Sequence, residues 1–306
     1  MGGKQAVVTG AHGFVGRYAA RHFAAQGWEV VGLGHGGWGE SEWAAWGLKE
    51  WHPCEVTLDT LLTYGREPEA IIHCAGSGSV GFSLAHPVQD FNRTVRTTLE
   101  VLEYIRLHTP KARLVYPSSA GVYGVVETMP ITEAAPLAPL SPYGMHKRMA
   151  EDLCRSYCRF FGVSATILRF FSLYGPELRK QLLWDACTKL RRREMLFPGT
   201  GEETRDWLHV RDGASLLFAA AEHAGTECPI VNGGSGEATT VREVLGEIVR
   251  GLGLETGARF SGATRPGDPK HYQAETARAV GWGWAPRTGW RAGIAEYVAW
   301  FKNLNA

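Results

Sequence analysis

The chain has 306 residues, with 32 basic and 31 acidic side chains and a pI near 7.7. That balance leaves no basic stripe for a phosphate backbone, so nucleic acid is not an expected partner. No stretch approaches the roughly 18 uninterrupted apolar residues of a spanning helix, so no membrane is expected either.

A chain this long buries enough surface to need no disulfide or metal staple. Its 6 cysteines form no CxxC pair and have no histidine at zinc spacing, so no metal is expected. They read as reduced thiols of a cytoplasmic protein. The N-terminus lacks the basic-then-apolar order of a signal peptide, because Gly10 and His12 interrupt it.

Ala6-Val7-Val8 predicts a first strand, and Gly16 to Gln26 a helix with Tyr18, Ala19, His22 and Phe23 facing inward. Val30 to Leu33 predicts a second strand, Ala70 to Cys74 a third and Arg113 to Pro117 a fourth. Between the last two, Val88 to Leu107 carries Phe91, Val95, Leu99, Leu102 and Ile105 at helical spacing. Ser141 to Phe161 reads as another long helix, and Val163 to Phe171 as a buried strand. Strands alternating with helices predict an α/β fold, a doubly wound parallel sheet of the Rossmann type. Past Gly175 the glycine-rich loops at 199–201 and 233–236 break the rhythm and predict a smaller C-terminal subdomain. Val210 to Glu222 is expected to return to the sheet.

Thr9-Gly10-Ala11-His12-Gly13-Phe14-Val15-Gly16 follows the first strand directly. Gly10 permits the tight turn, Gly13 lets a pyrophosphate approach the backbone, and Gly16 lets helix pack on strand. Between a strand and an amphipathic helix, this spacing points to a dinucleotide. At the end of the second strand a carboxylate normally grips the ribose of NAD. Here Gly34-His35-Gly36-Gly37 has no acid before Glu40, so the cofactor is NAD or NADP, with a lean to NADP.

Tyr143 and Lys147 stand four residues apart at the start of a helix and so share one face. An ammonium beside a phenol favours the phenolate, which predicts a Tyr143 pKa pulled down toward the working pH. Such a phenol can exchange a proton with a sugar hydroxyl while hydride moves to or from a nicotinamide. Ser119, just past the fourth strand, can hydrogen-bond the same oxygen.

These motifs, in order, resemble the extended short-chain dehydrogenase/reductases, specifically the nucleotide-sugar epimerase/dehydratase family. Also similar are His73 to Gly76, Pro117 to Gly124, Leu168 to Pro176, Thr204 to Val210 and Arg265 to Asp268. The resemblance implies that Ser119, Tyr143 and Lys147 are catalytic. It places the cofactor against Gly10, Gly13, Phe14, Val15, Gly16, Gly34, His35, Glu55, Val56, Ala75, Gly76 and Phe170, with Tyr143 and Lys147. It implies a substrate site of Ser119, Ser172, Arg205, Arg265 and Asp268, a nucleoside-diphosphate sugar as partner, and a homodimer built through the two long helices. The expected division is 1–172 for the dinucleotide domain, with 208–224 returning to it, and 173–306 for the sugar-nucleotide subdomain.

Three departures bear on the reaction. Ser172 replaces the asparagine that many members set against the substrate phosphates. Ala120-Gly121 replaces the Asp-Glu pair with which 4,6-dehydratases eliminate water, which argues against that reaction. The acid-free Gly34-His35 is unusual for an NAD-bound epimerase. The expected activity is epimerisation at C4 through a transient keto sugar, with an NADPH-dependent reductase of a 4-keto sugar nucleotide as the alternative. A non-catalytic nucleotide-binding regulator is disfavoured by the complete Ser119, Tyr143 and Lys147 set.

Other features read as structure. Trp38, Trp43, Trp46 and Trp51 are expected to cover a sheet edge. Cys154 and Cys158 are expected in the core, and Lys189 with Arg191 to Arg193 on a solvated face.

Overall fold

The computed structural model describes residues 3–263 and 270–304. The first half runs β1 (Gln5–Thr9), α1 (Phe14–Ala25), β2 (Glu29–Gly34), α2 (Glu40–Ala45), β3 (Glu50–Pro53), α3 (Leu58–Tyr64) and β4 (Ala70–His73). Two short helices follow, α4 (Val80–Ala85) and α5 (Pro87–Phe91), then a widened π turn over Asn92–Arg96 and α6 (Thr97–His108). Next come β5 (Arg113–Ser119), a 3-10 turn at Ala120–Val122, α7 (Pro142–Phe161) and β6 (Ser164–Phe170). The remainder is β7 (Ser172–Tyr174), α8 (Gln181–Arg191), β8 (Leu196–Phe197), β9 (Thr204–His209), α9 (Val210–Glu222), β10 (Ile230–Gly233) and β11 (Ala238–Thr240). It closes with α10 (Val241–Leu252), β12 (Arg259–Phe260), α11 (Ala277–Gly281) and α12 (Trp290–Asn303).

Seven strands form one parallel sheet in the order β10-β6-β5-β4-β1-β2-β3. Successive residues of a strand face opposite sides, and β1 demonstrates it. Val7 joins Val31, Ile71, Leu102, Ile105 and Cys154 beneath α6 and α7, whereas Val8 joins Ala19, Phe23, Leu216 and Leu217 beneath α1 and α9. Strand order reverses at β1, which has β2 on one side and β4 on the other. A parallel sheet opens its ligand crevice beyond the carboxyl ends of the strands at such a reversal. The doubly wound sheet is therefore present as expected, with Cys154 and Cys158 both buried in its core.

The structure adds β3 and β10 at the two edges of this sheet. β3 has one large apolar residue, Trp51, among polar neighbours and ends in proline, as suits an edge strand. β10 pairs parallel with β6, so the return of the chain to the large sheet runs beyond the expected 208–224. Within that range, Val210–Glu222 is a helix laid on β5 and β6.

The expected helix from Val88 to Leu107 is interrupted. Thr97 Oγ1 donates to Arg93 O and Thr98 Oγ1 to Thr94 O, each at 2.6 Å, so hydroxyls compete for backbone carbonyls where the helix widens. Its apolar stripe divides accordingly. Val95, Leu102 and Ile105 are buried, whereas Phe91 and Leu99 are each 39% exposed. Cys74 falls just outside β4, and Phe171 just outside β6.

The second lobe carries a three-stranded sheet, β11-β9-β7, and the β8–β12 pair. Leu183 and Leu190 of α8, Val244 and Ile248 of α10, and Tyr297 and Phe301 of α12 form its core. No helix among the described residues is long and apolar enough to cross a membrane.

Candidate active site

The carboxyl ends of β1, β2 and β4 meet at the glycine loop. Gly10 has φ +68°, and its N–H donates to Leu33 O at 2.6 Å. A Cβ there would lie 2.7 Å from the Ala75 nitrogen, so the loop can approach β4 only as glycine. A Cβ on Gly16 would fall 2.2 Å from Gly10 O, which ties α1 directly onto the turn.

Gly13 opens α1 with no side-chain cap, and the first turn, Phe14 to Gly16, has no acid. A helix entrance with unclaimed N–H groups and a favourable dipole suits an anion. Thr9 Oγ1 accepts from Ala75 N at 3.2 Å, which fixes Ala75 and Gly76 beside this cradle. The residues present therefore fit a dinucleotide pyrophosphate.

Gly34 ends β2, His35 is exposed, Val56 is buried and Glu55 exposed past β3. The tryptophan segment covers this edge by packing. His12 meets Trp38 edge-on at 4.9 Å, and Trp38 meets Trp51 at 5.5 Å. The Arg17 and Arg21 guanidiniums lie 5.2 and 3.8 Å from the Trp46 ring.

β5 and α7 bring Ser119, Tyr143 and Lys147 together. Ser119 ends β5, and its Oγ accepts from Gly121 N at 3.1 Å, holding the 3-10 turn. Ser141 caps α7 by accepting from Gly144 N at 3.1 Å. A Cβ on Gly144 would lie 2.6 Å from Gly121 O, so the first turn of α7 presses on that 3-10 turn. A Cβ on Gly121 would sit 3.4 Å from Ser119 Oγ and 3.6 Å from the Tyr143 ring, which places hydroxyl and phenol on one small residue.

Lys147, one turn further, is buried. Its Nζ donates to Pro117 O at 2.8 Å and lies 4.8 Å from the Tyr116 ring centre. Beneath it, Arg169 donates to Glu151 Oε2 at 2.7 Å, and Ser118 Oγ donates to Glu151 Oε1 at 2.5 Å, locking β5, β6 and α7.

The ionisation of the pair differs from the sequence expectation. Burial pushes the Tyr143 phenol up; the hydrogen bond with Ser119 opposes this and the Asp90 carboxylate adds to it. Burial also brings Lys147 down to about 8. The ammonium is turned to a backbone carbonyl, so desolvation outweighs its pull on the phenol.

Tyr143 opens onto a cleft of about 1080 Å³ between the lobes. Ser119, Tyr143, Phe170, Ser172 and Arg205 all reach it, so the structure brings most of the expected substrate residues together. Arg205 Nη1 donates to Thr204 O at 2.8 Å. Arg265 and Asp268 lie outside the described residues.

The cleft also takes in Val80, Leu84, Leu140, Lys189 and Tyr272, which sequence reading did not select. Tyr272 Oη donates to Gly124 O at 2.7 Å, closing one wall. Lys180 Nζ donates to Gly78 O at 3.2 Å, linking the lobes. No spacing rule marks such residues, because they face the cleft only after both lobes have folded. Lys189, expected on a solvated face, is half-buried along the cleft wall, whereas Arg191 to Arg193 are exposed.

Comparison with known proteins agrees with this geometry. The family model described as "NAD dependent epimerase/dehydratase family" matches residues 6–234. A chain from Methanocaldococcus jannaschii is 31% identical over 254 residues, spanning 81% of each chain. The UDP-glucose 4-epimerase of Azospirillum brasilense is 29% identical over 322 residues, covering 97% of this chain and 92% of its own. A crystal structure of UDP-galactose 4-epimerase superimposes with a TM-score of 0.83 at 27% identity, covering 98% of this chain and 99% of that one. With a model match across most of the chain and relatives aligned over most of their own lengths, the protein belongs to the NAD dependent epimerase/dehydratase family.

Proposed function

We propose that the protein epimerises a nucleoside-diphosphate sugar at C4 through a transient keto sugar, with NAD as its resident cofactor. The observation that carries this reading is the opening of Ser119 and Tyr143 onto a cleft of about 1080 Å³, with Lys147 one turn further along the same helix. Relatives named as UDP-glucose and UDP-galactose 4-epimerases favour a UDP-sugar. In this reading residues 1–172, with the returning α9 and β10, hold the cofactor, and the rest of 173–306 holds the sugar nucleotide.

When bound, the dinucleotide supplies the acceptor and donor of hydride. The protein's part is to hold and move a proton. Tyr143 takes it from the sugar 4-hydroxyl while Ser119 hydrogen-bonds the same oxygen. Lys147, charged below about pH 8, stabilises the ionised phenol as the reaction begins. The cleft leaves room for the keto sugar to turn, and Tyr143 then returns the proton after hydride arrives on the other face. Ser172 and Arg205 are assigned to the nucleotide diphosphate. A guanidinium suits that diphosphate.

Dimerisation is assigned to α5, α6 and α7, which present Phe91, Leu99, Met145, Met149 and Phe160 to solvent. An exposed apolar face of this kind marks an interaction surface.

The test is interconversion of UDP-glucose and UDP-galactose by purified protein, with any cofactor released on denaturation identified by mass. Tyr143→Phe should lower kcat by about 10²- to 10⁴-fold with an unchanged circular dichroism spectrum. Sedimentation velocity on the same preparation reads the dimer. Protein that carries no NAD and consumes NADPH with a 4-keto sugar nucleotide would replace the epimerase with the reductase.

A further inference from the structure

The first turn of the helix carrying Tyr143 and Lys147 is gripped by a segment that the chemistry above does not use. α4 and α5 pack against α7, and two polar contacts join them. Ser83 Oγ accepts from the Tyr143 backbone N–H at 3.0 Å. Asp90 Oδ2 accepts from His146 Nδ1 at 2.5 Å.

Asp90 has 0% of its surface exposed, and its other oxygen, Oδ1, has no hydrogen-bond partner among the described residues. His146 is 12% exposed, with Phe91 edge-on to its ring at 5.5 Å. Burying a half-satisfied carboxylate destabilises a fold unless something offsets it. Packing alone would be served as well by an apolar side chain. The same α4 turns Val80 and Leu84 toward the cleft, so the segment touches both the substrate wall and the reactive helix.

We infer that Asp90 and His146 form a positioning pair for the acid–base group assigned above: the imidazole fixes the carboxylate against the first turn of α7, and the carboxylate's charge sets how readily the Tyr143 phenol ionises. This rests on the reading of Tyr143 as the proton carrier. A fixed negative charge near a phenol disfavours phenolate, and near an amine it favours ammonium. Asp90 acts in both senses, raising the phenol and supporting the charge on Lys147. It thereby keeps Tyr143 protonated until substrate and cofactor change the balance, while Lys147 stays cationic.

Neighbouring charges leave this role to Asp90. α4 has no charged side chain, and His86, at its end, lies 5.1 Å from the Phe82 ring. On the π turn, the Arg93 guanidinium lies 4.9 Å from that Phe82 ring, and Arg96 pairs with Glu100 at 3.7 Å. Glu151 of α7 is bound by Arg169 at 2.7 Å. Cys74, beyond β4, is held neutral, its thiol pushed up to about 12 by burial, and burial likewise pushes the Cys154 thiol up. Ser119, from β5, works in the opposite direction through its hydrogen bond.

The experiment is an ultraviolet difference titration of the tyrosines, subtracting Tyr143→Phe, which reads the phenol without turnover. Asp90→Asn keeps an acceptor for His146 and removes only the charge. The Tyr143 midpoint should fall by about one pH unit, the low end of the shift a neighbouring charge produces. The acid limb of kcat should move the same way. If Asp90→Asn fails to fold, Asp90→Ser, which leaves a hydroxyl for His146, carries the same expectation. An unmoved midpoint and limb would overturn the pair's role while leaving Tyr143 as the proton carrier. A Tyr143→Phe enzyme that keeps its turnover would overturn that assignment instead.

Discussion

The two ends of the proposed site are built on opposite principles. At the end proposed for the cofactor the parts are backbone: Gly10, Gly13 and Gly16 lack a side chain, and α1 offers N–H groups and a dipole. At the end proposed for the chemistry they are side chains, Ser119, Tyr143 and Lys147, and burial sets how readily the phenol and the amine ionise. The difference teaches where each end is vulnerable. A cradle fails by steric addition, whereas a proton-transfer set fails by a change in its electrostatic surroundings with the shape intact.

The largest effect should come from filling the cradle. Gly16→Val puts branched carbon where even a Cβ would lie 2.2 Å from Gly10 O. Overpacking of this kind destabilises by about 1–3 kcal/mol. NAD affinity, read by isothermal titration calorimetry, should weaken by about 1,000-fold, a loss of about 4 kcal/mol. Unchanged affinity would mean that the loop does not carry the pyrophosphate.

At the chemical end the expected change has the opposite sign for stability. Burial holds Lys147 at about 8 rather than the ordinary 10.5, so below pH 8 the fold holds an ammonium that the unfolded chain solvates better. That penalty is present at neutral pH and fades as pH rises from 8 to 10.5, where the folded chain has already lost its proton. Lys147→Met should therefore abolish turnover yet stabilise the cofactor-free protein by about 3 kcal/mol at pH 7 and about 1 kcal/mol at pH 10. Denaturant melts at the two pH values measure the difference, and a variant less stable at both would show that the ammonium's contacts outweigh its desolvation.

The smallest effect sharpens the comparison where the two ends meet. His73, at the end of β4, lies 2.7 Å from Thr9 Oγ1, and burial, with Lys147 nearby, lowers its pKa to about 3. The unfolded chain takes up a proton near 6.5 that the folded one refuses, so stability falls as pH drops through the window from 6.5 to 3. Between pH 7 and 5 this amounts to about 2 kcal/mol. His73→Gln should flatten that slope in denaturant melts, and an unchanged slope would place the acid sensitivity elsewhere.

Much of this was legible in the residues. Gly10 to Gly16 after an apolar run, and Tyr143 four residues before Lys147 on one helix face, are local patterns whose geometry follows from 3.6 residues per turn and from glycine's freedom. β3 and β10 were not legible, because four residues are too few to show a period, and β10, though buried, includes Asn232 and Gly233. The break at Asn92–Arg96 was hidden inside a continuous helical period, since competition from threonine hydroxyls does not alter apolar spacing.

The sequence by itself determined the parallel sheet, the glycine turn from β1 into α1, and the pairing of Tyr143 with Lys147 on one helix face, because each is written in neighbouring residues. Tertiary structure alone decided that burial raises the Tyr143 phenol and lowers Lys147. It also decided that Asp90, 56 positions before His146, shares a hydrogen bond with it. Desolvation and charge act through space and depend on which helices pack together, and no local spacing records that.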